Sequence, residues 1–164
     1  MFQLRAAFSE QVEWRTSAAA AREFFNDLRN FVELMPGVER ITADASGIAS
    51  WLIRADVPVV GAIRQAFSVA QSVNEPSRIE WSPVEGERKN LLRYVATFEE
   101  RGETTRIRVE QRVELRRQHA RELHTLAGLA GEGRLSAALQ KGVTEMLQAF
   151  LKRARARLEY KVQS

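Results

Sequence analysis

The feature that most constrains this chain is a change of hydrophobic period. Residues 90–115 alternate between apolar and polar side chains almost without exception, whereas from Gly133 to about Tyr160 the apolar residues follow helical spacing. The first pattern indicates half-buried strands and the second indicates one long amphipathic helix. The apolar stripe of a helix cannot contact a curved sheet at every point. We therefore expect a gap between helix and sheet that can hold a small apolar molecule.

The composition is typical of a chain that folds around its own core. Its 164 residues are 45% hydrophobic and 28% charged, with no cysteine, which fits one domain over residues 1–164. The lack of cysteine excludes disulfides, thiolate nucleophiles and cysteine metal ligands. No segment reaches the ~20 apolar residues of a membrane span, and Arg5 and Glu10 interrupt the N-terminal apolar run, unlike a signal peptide. A cytoplasmic location is the simplest expectation.

The patterning predicts seven strands in sequential hairpins, with two helices after the first strand. The expected strands are residues 3–15, 38–44, 47–57, 62–74, 78–82, 89–100 and 104–117. Proline and glycine mark the turns between them. The first helix is expected to be capped by Thr16 or Ser17 and to run to about Arg29. A short helical turn from Phe31 to Met35 follows it and stops at a Pro-Gly pair.

The C-terminal helix is expected to be the longest element. Its apolar stripe consists of Leu135, Leu139, Val143, Met146, Leu147, Phe150, Leu151, Ala154 and Leu158. About 27 residues of helix span roughly 40 Å, which is enough to cross the whole sheet. Residues 118–133 have helical composition but are interrupted by Gly128, Gly131 and Gly133, so they form a short helix or a loop.

Positive charge is concentrated near the C-terminus. The net charge is +4, and the contributing cations include Lys141, Lys152, Arg153, Arg155, Arg157 and Lys161. One interpretation is peripheral membrane contact through the basic helix. The other is that the cations complement the helix dipole and solvate its outer face. No nucleic-acid motif and no interleaved aromatic residues accompany them, so no nucleic-acid partner is expected.

Polar residues on the apolar face of a strand are candidates for ligand contact. Strand parity places Glu10, Gln65, Gln71, Asn90 and Gln111 there. An inward polar group without a hydrogen bond costs roughly 1–3 kcal/mol. Each therefore needs a partner, which can be a ligand, another side chain, a water or a strand end. Glu10 would be a buried carboxylate unless a β-bulge near Ser9 turns it outward.

Large inward side chains can line the same space or pack an ordinary core. They are Trp51, Phe67, Trp81, Tyr94, Phe98 and Phe150, together with Met146 as an adaptable wall residue. Tyr94 could also direct its hydroxyl at a ligand. The two histidines, His119 and His124, are five positions apart and have only Glu122 as an acidic neighbour. Neither a metal site nor a cofactor is expected.

Three short motifs and the closing helix stand out beside the periodicity. Residues 75–81 read EPSRIEW, residues 102–107 read GETTRI and residues 34–38 read LMPGV. They resemble, in turn, the Glu-Pro-x-Arg-Ile-x-Trp segment, the Gly-x-Thr-Thr-Arg-Val hairpin and the Leu-x-Pro-x-Val element of the polyketide cyclase/dehydrase and lipid-transport family, and the closing helix is also similar. The resemblance covers roughly residues 5–160.

This resemblance implies an α+β, START-like helix-grip fold. In such a fold a seven-stranded curved antiparallel sheet wraps around a long C-terminal helix, with two short helices after strand 1. It implies an apolar pocket between sheet and helix, and the motifs themselves carry no catalytic group.

Three functions fit these expectations. The first is non-catalytic binding or transport of a hydrophobic small molecule, such as a lipid, quinone or polyketide-like compound, with residues 57–62 and 128–133 gating the pocket. The second is a polyketide aromatase/cyclase or dehydratase that uses Glu10, Tyr94 or Gln111. The third is a membrane- or protein-interaction module with a filled core. An open cavity with only amide groups favours the first, and a carboxylate facing a tyrosine favours the second.

Overall fold

The architecture consists of one antiparallel sheet, a long helix and short helical segments. It is described from a computed structural model covering residues 1–163, with side chains to residue 159. The strands are β1 (Phe2–Trp14), β2 (Val38–Ala43), β3 (Ile48–Val57), β4 (Gly61–Glu75), β5 (Arg78–Pro83), β6 (Asn90–Arg101) and β7 (Thr104–Arg117). The helices are α1 (Ala18–Asn26), α2 (Arg29–Leu34), α3 (Ala127–Ala130) and α4 (Glu132–Gln163), with a 3₁₀ turn at Ala120–Glu122.

The strand order in the sheet is β1-β7-β6-β5-β4-β3-β2, with every neighbouring pair antiparallel. All connections between β2 and β7 are therefore hairpins, while α1 and α2 carry the chain from β1 to the opposite edge of the sheet. The α+β helix-grip architecture and its seven strands, predicted from the sequence, are confirmed. Helix α4 has 32 residues, or about 48 Å at 1.5 Å per residue.

The boundary between α1 and α2 differs from the prediction. Ser17 caps α1, since its hydroxyl accepts a hydrogen bond from the Ala20 N–H at 3.1 Å. The helix ends at Asn26, three residues early, because Asp27 adopts an extended backbone. The Asp27 carboxylate then accepts hydrogen bonds from both the backbone N–H and the guanidinium of Arg29. This contact starts α2 two residues before the position predicted for it.

Edge strand β1 corrects the expectation for Glu10. The β1–β7 pairing runs without a register shift from Phe2↔Arg117 to Trp14↔Thr105, so there is no bulge at Ser9. Glu10 keeps its inward parity but is exposed, so neither of the two expectations, a buried carboxylate or a bulge that turns it outward, describes its position. The inner face of this edge strand is incompletely covered at its middle, where the neighbouring Phe8 and Val12 are only half-buried.

The space between the sheet and α4 has two ends. One end, which we call the packed end, contains an aromatic cluster of Phe24, Phe25, Phe31, Trp51, Tyr94, Phe98 and Phe150. Phe31 of α2 is its centre, with its ring 4.6 Å from that of Phe150 and 5.1 Å from those of Trp51 and Tyr94. The other end, under the N-terminal half of α4, is lined by smaller side chains and is called the open end.

Most basic residues near the C-terminus are engaged within the chain. Arg157 pairs with Glu33 at 2.7 Å, and Arg155 pairs with Glu159 at 3.1 Å on the same helix. Arg153 donates to the Leu34 carbonyl at 2.9 Å, so this part of α4 is fastened to α2. The side chain of Lys161 lies outside the described residues. Within residues 1–163, no helix combines the length and the apolar character needed to cross a bilayer.

Candidate functional site

The open end encloses a cavity of about 50 Å³ between the sheet and α4. Fourteen of its sixteen lining residues are apolar, and the two others are glutamines. The lining residues are Leu4, Ile53, Ala55, Val57, Ile63, Gln65, Phe67, Gln111, Val113, Leu115, Leu123, Leu135, Leu139, Gly142, Val143 and Met146. A cavity lined in this way is expected to favour an apolar occupant.

Two glycines shape the roof of the cavity. Gly142 lies on the cavity side of α4, and a Cβ added there would meet nothing within 4 Å outside the helix. Gly37 has a φ of +93°, and a Cβ there would lie 2.9 Å from the Arg54 carbonyl oxygen and 3.0 Å from Met146 Cε. Gly37 therefore lets the Met146 side chain pack closely over the turn that leads into β2.

The cavity is small in this conformation. A water needs roughly 10–15 Å³ on the same scale, and an engineered cavity of roughly 150 Å³ binds benzene. The closed cavity thus has room for a few water molecules. A larger ligand requires side chains to move, and Met146 and Leu139 are the half-buried wall residues on α4 that could do so.

Gln65 is held in one orientation by a side-chain network. Its Oε1 accepts hydrogen bonds from Arg117 Nη2 at 2.9 Å and from Asn90 Nδ2 at 3.0 Å. Arg117 also donates to Asn90 Oδ1 at 2.7 Å and to two backbone carbonyls. Both Nη groups of the guanidinium are therefore engaged by polar groups outside the cavity lining.

This network exists because β5 is short. Beyond the end of β5 at Pro83, strands β4 and β6 have no strand between them, and Asn90 bridges them by donating to the Ala66 carbonyl at 2.9 Å. The Glu87 carboxylate accepts from the backbone N–H groups of Asn90 and Lys89 at 3.0 and 2.9 Å. These hydrogen bonds lower the pKa of Glu87 below its usual value. The ionised Glu87 therefore positions Asn90.

Gln111 and Tyr94 lie opposite each other on β7 and β6. Their side chains are 2% and 1% exposed. Among the described residues, neither Gln111 Oε1 nor the Tyr94 hydroxyl has a hydrogen-bond partner. Burial raises the pKa of Tyr94 well above its usual value, so the phenol stays protonated. Gln111 lines the cavity, whereas Tyr94 packs against Phe31.

The residues predicted from the sequence as ligand contacts fall into two groups. Gln65, Phe67, Gln111 and Met146 line the cavity. The remaining six do not line it. Trp51, Tyr94, Phe98 and Phe150 belong to the aromatic cluster, Trp81 is buried outside the lining, and Glu10 is exposed. The helices α1 and α2 account for this division, because Phe25 and Phe31 fill the space that the other aromatic residues would otherwise border.

Sequence reasoning missed the aliphatic residues as site residues. Ile53, Val113 and Leu139 carried the right periodicity, but periodicity does not separate a cavity wall from an ordinary core. Leu123 lies in the segment before α3, where the glycine-interrupted pattern did not indicate which residues point toward the core. Gly142 was the available signal, since a glycine on the apolar side of a helix removes a side chain from the interface with the sheet.

An exposed groove lies next to the cavity. Val57 and Leu135 line both, so they form a thin wall between them. Val59 and Leu129 in the groove are 72% and 75% exposed, and Arg134 and Lys141 lie beside them. The groove is therefore an apolar surface with a basic margin.

The described residues contain no group of three or more histidine, aspartate or glutamate side chains that could hold a metal ion. The polar chemistry of the cavity wall is instead that of two amides.

These features define a helix-grip fold, as the resemblance implied, and solved structures share it. The di-domain ARO/CYC StfQ from the steffimycin biosynthetic pathway aligns with a TM-score of 0.65 at 14% identity, over 98% of this chain and 53% of that protein. The Zhui aromatase/cyclase from Streptomyces sp. R1128 aligns with a TM-score of 0.61 at 15% identity, over 93% of this chain and 95% of that protein. A START superfamily protein from Mycobacterium smegmatis aligns with a TM-score of 0.51 at 17% identity, over 86% and 98%.

This chain spans about half the length of StfQ and of a second matching structure, the di-domain ARO/CYC BexL from the BE-7585A biosynthetic pathway. At these identities the likeness concerns the fold alone. No family sequence model and no curated protein sequence matches the chain.

Proposed function

We propose that this protein binds a hydrophobic small molecule, such as a lipid, quinone or polyketide-like compound, without transforming it. The observation that carries the proposal is the wall of the cavity, in which fourteen apolar residues surround two amides. Acid–base catalysis needs a group that gains or loses a proton near working pH, and no lining residue does so. The cavity can therefore remove a ligand from water and form a few hydrogen bonds with it, and these interactions are sufficient for binding.

We propose that the ligand passes between the cavity and the exposed groove. The thin wall of Val57 and Leu135 supports this route, because moving two side chains joins the two spaces. The exposed side chains of Val59 and Leu129 would then be the first surface that an apolar ligand meets. This places the gate where residues 57–62 approach the segment before α4.

The first experiment is native mass spectrometry of freshly purified protein, with organic extraction of any compound that co-purifies. A stoichiometric apolar ligand supports the proposal and identifies the compound class. Gly142→Leu places a side chain in the cavity and is expected to abolish this binding. Gly133→Leu is the matched control, since Gly133 is exposed on the same helix. A fully occupied Gly142→Leu protein that remains folded would contradict the proposed location.

A second candidate function is that of a polyketide aromatase/cyclase, which the names of two fold neighbours favour. The cavity wall argues against it, because Tyr94 lies outside the lining and Glu10 is exposed. Mass spectrometry of the extracted ligand before and after incubation with the protein separates the two functions. A change of mass, or a new chromatographic peak at the same mass, would favour the enzyme.

A further inference from the structure

The two amides of the cavity wall together offer a ligand unpaired hydrogen-bond donors and an unpaired acceptor. Gln65 accepts hydrogen bonds from a guanidinium, and a guanidinium can only donate. The atom of Gln65 that faces Arg117 must therefore be oxygen, which fixes the amide against flipping. Its Nε2 has no acceptor among the described residues and remains as a donor at the cavity wall. Donation from Arg117 to Oε1 polarises the amide and strengthens this donor.

Gln111 is the second amide, and neither its Nε2 donor nor its Oε1 acceptor has a hydrogen-bond partner among the described residues. Its Oε1 is enclosed and receives no hydrogen bond from the described residues. An acceptor buried in this way costs roughly 1–3 kcal/mol unless a donor reaches it. Gln111 lines the same cavity as Gln65, so a ligand that donates to Gln111 Oε1 would remove that cost. The rest of the wall is apolar, and ligand orientation therefore depends on these two contacts.

We infer that the cavity selects an uncharged, largely apolar molecule with two oxygen functions: a carbonyl-type acceptor for Gln65 Nε2 and a hydroxyl donor for Gln111 Oε1. This inference rests on the proposed function and adds the polar chemistry of the ligand. The ligand is uncharged because no lining residue is ionisable, and an unpaired charge is costly in an apolar site. The Arg117 charge does not alter this, since Arg117 does not line the cavity and all four of its Nη N–H donors are taken by Gln65, Asn90 and two backbone carbonyls.

The test uses three probes of one ring system: naphthalene, 2-acetylnaphthalene, which only accepts hydrogen bonds, and 2-naphthol, which can donate one. Dissociation constants come from NMR titration of the whole 18.6 kDa chain. One hydrogen bond to a buried, otherwise unpaired group corresponds to about a tenfold gain in affinity. Both oxygenated probes are therefore expected to bind about tenfold more tightly than naphthalene.

Two variants assign the contacts. Gln65→Glu keeps an oxygen that accepts from Arg117 and Asn90, but it replaces the free Nε2 donor with a carboxylate oxygen, which can only accept. It should lower the advantage of 2-acetylnaphthalene over naphthalene, leaving only the contribution of Gln111 Nε2. Gln111→Leu should remove the advantage of 2-naphthol and leave that of 2-acetylnaphthalene. Gln71→Glu is the matched control, because Gln71 is on the same strand as Gln65 but bonds to Asn26 of α1, and both advantages should persist.

The outcomes separate the inference from the proposed function. Equal affinity for all three probes in the unmodified protein would overturn the polar assignment while leaving apolar binding intact. Advantages that survive in the double variant Gln65→Glu with Gln111→Leu would also overturn it. Failure of all three probes to bind, with no co-purifying ligand, would overturn the proposed function and the inference together.

Discussion

The packed end and the open end use the same sheet and the same helix, yet one is filled and the other is not. At the packed end, rings from α2, β3, β6 and α4 meet around Phe31 at centroid distances of 4.6–5.1 Å. At the open end, the same helix presents Leu139, Gly142 and Val143 to a wall of aliphatic side chains. The difference arises from α1 and α2, which insert large rings beneath one half of α4 only.

This comparison assigns separate roles to the two ends. The packed end buries the largest side chains and is expected to supply much of the stability, because burial of aromatic area dominates core energetics. The open end has less packing, and it thereby gains space and the unpartnered polar atoms of two described amides, Gln65 and Gln111. A helix anchored at one end can adjust at the other, where Met146 and Leu139 are only half-buried.

The largest expected effect breaks the packed end. Phe31→Ala removes the ring that touches three others, and Phe→Ala substitutions in cores typically cost about 4 kcal/mol of unfolding free energy. Leu139→Ala at the open end is the comparison, and about 1–2 kcal/mol is expected there because that side chain already borders a void. Chemical denaturation measures both changes. Equal losses would mean that the two ends do not differ in packing.

The sequence predicted the fold well because periodicity and turn residues act locally. Alternation located all seven strands, and Ser17 and Gly37 marked a helix start and a turn as expected. The site was harder to predict, since inward parity places Trp51 and Gln65 on the same kind of face. Only the tertiary placement of Phe31 decides that one is packed and the other borders a cavity. The position of Glu10 was hard to predict for a similar reason. Alternation along a strand predicts which face of the sheet a side chain is on, but not whether another element packs over that face.

A smaller effect tests whether Gly142 keeps the open end open. Gly142→Ala should raise the unfolding free energy by up to about 1 kcal/mol, because alanine favours helix and the new methyl group meets nothing within 4 Å outside the helix. It should also weaken naphthalene binding, since the methyl group occupies cavity space. Gly133→Ala, in the first turn of α4, should stabilise without changing naphthalene affinity. Weaker binding in both variants would contradict the role assigned to position 142.

Tyr94 marks the boundary between the two ends. Tyr94→Phe should stabilise the ligand-free protein by about 1 kcal/mol, because the buried hydroxyl has no partner among the described residues and its removal relieves a desolvation cost. Thermal or chemical unfolding measures this change. A loss of stability in Tyr94→Phe would show that the hydroxyl is hydrogen-bonded in solution.

The smallest expected effect is a dependence of stability at the open end on the protonation of Glu87 at low pH. Hydrogen bonds from the Asn90 and Lys89 backbone lower the pKa of folded Glu87 below its unfolded value. Glu87 therefore contributes stability that is fully present above the unfolded pKa, about 4.3, and is lost as pH falls through the lower folded value. Because Glu87 positions Asn90, protonation should shift the NMR signals of the Asn90 and Gln65 side-chain amides before those of the Trp51 indole at the packed end.

Glu87→Gln should flatten the fall in stability between about pH 5 and pH 3, since a glutamine has no charge to lose. An unchanged slope of unfolding free energy against pH in this variant would mean that other carboxylates cause the loss of stability in acid. Glu87 would then not control the open end.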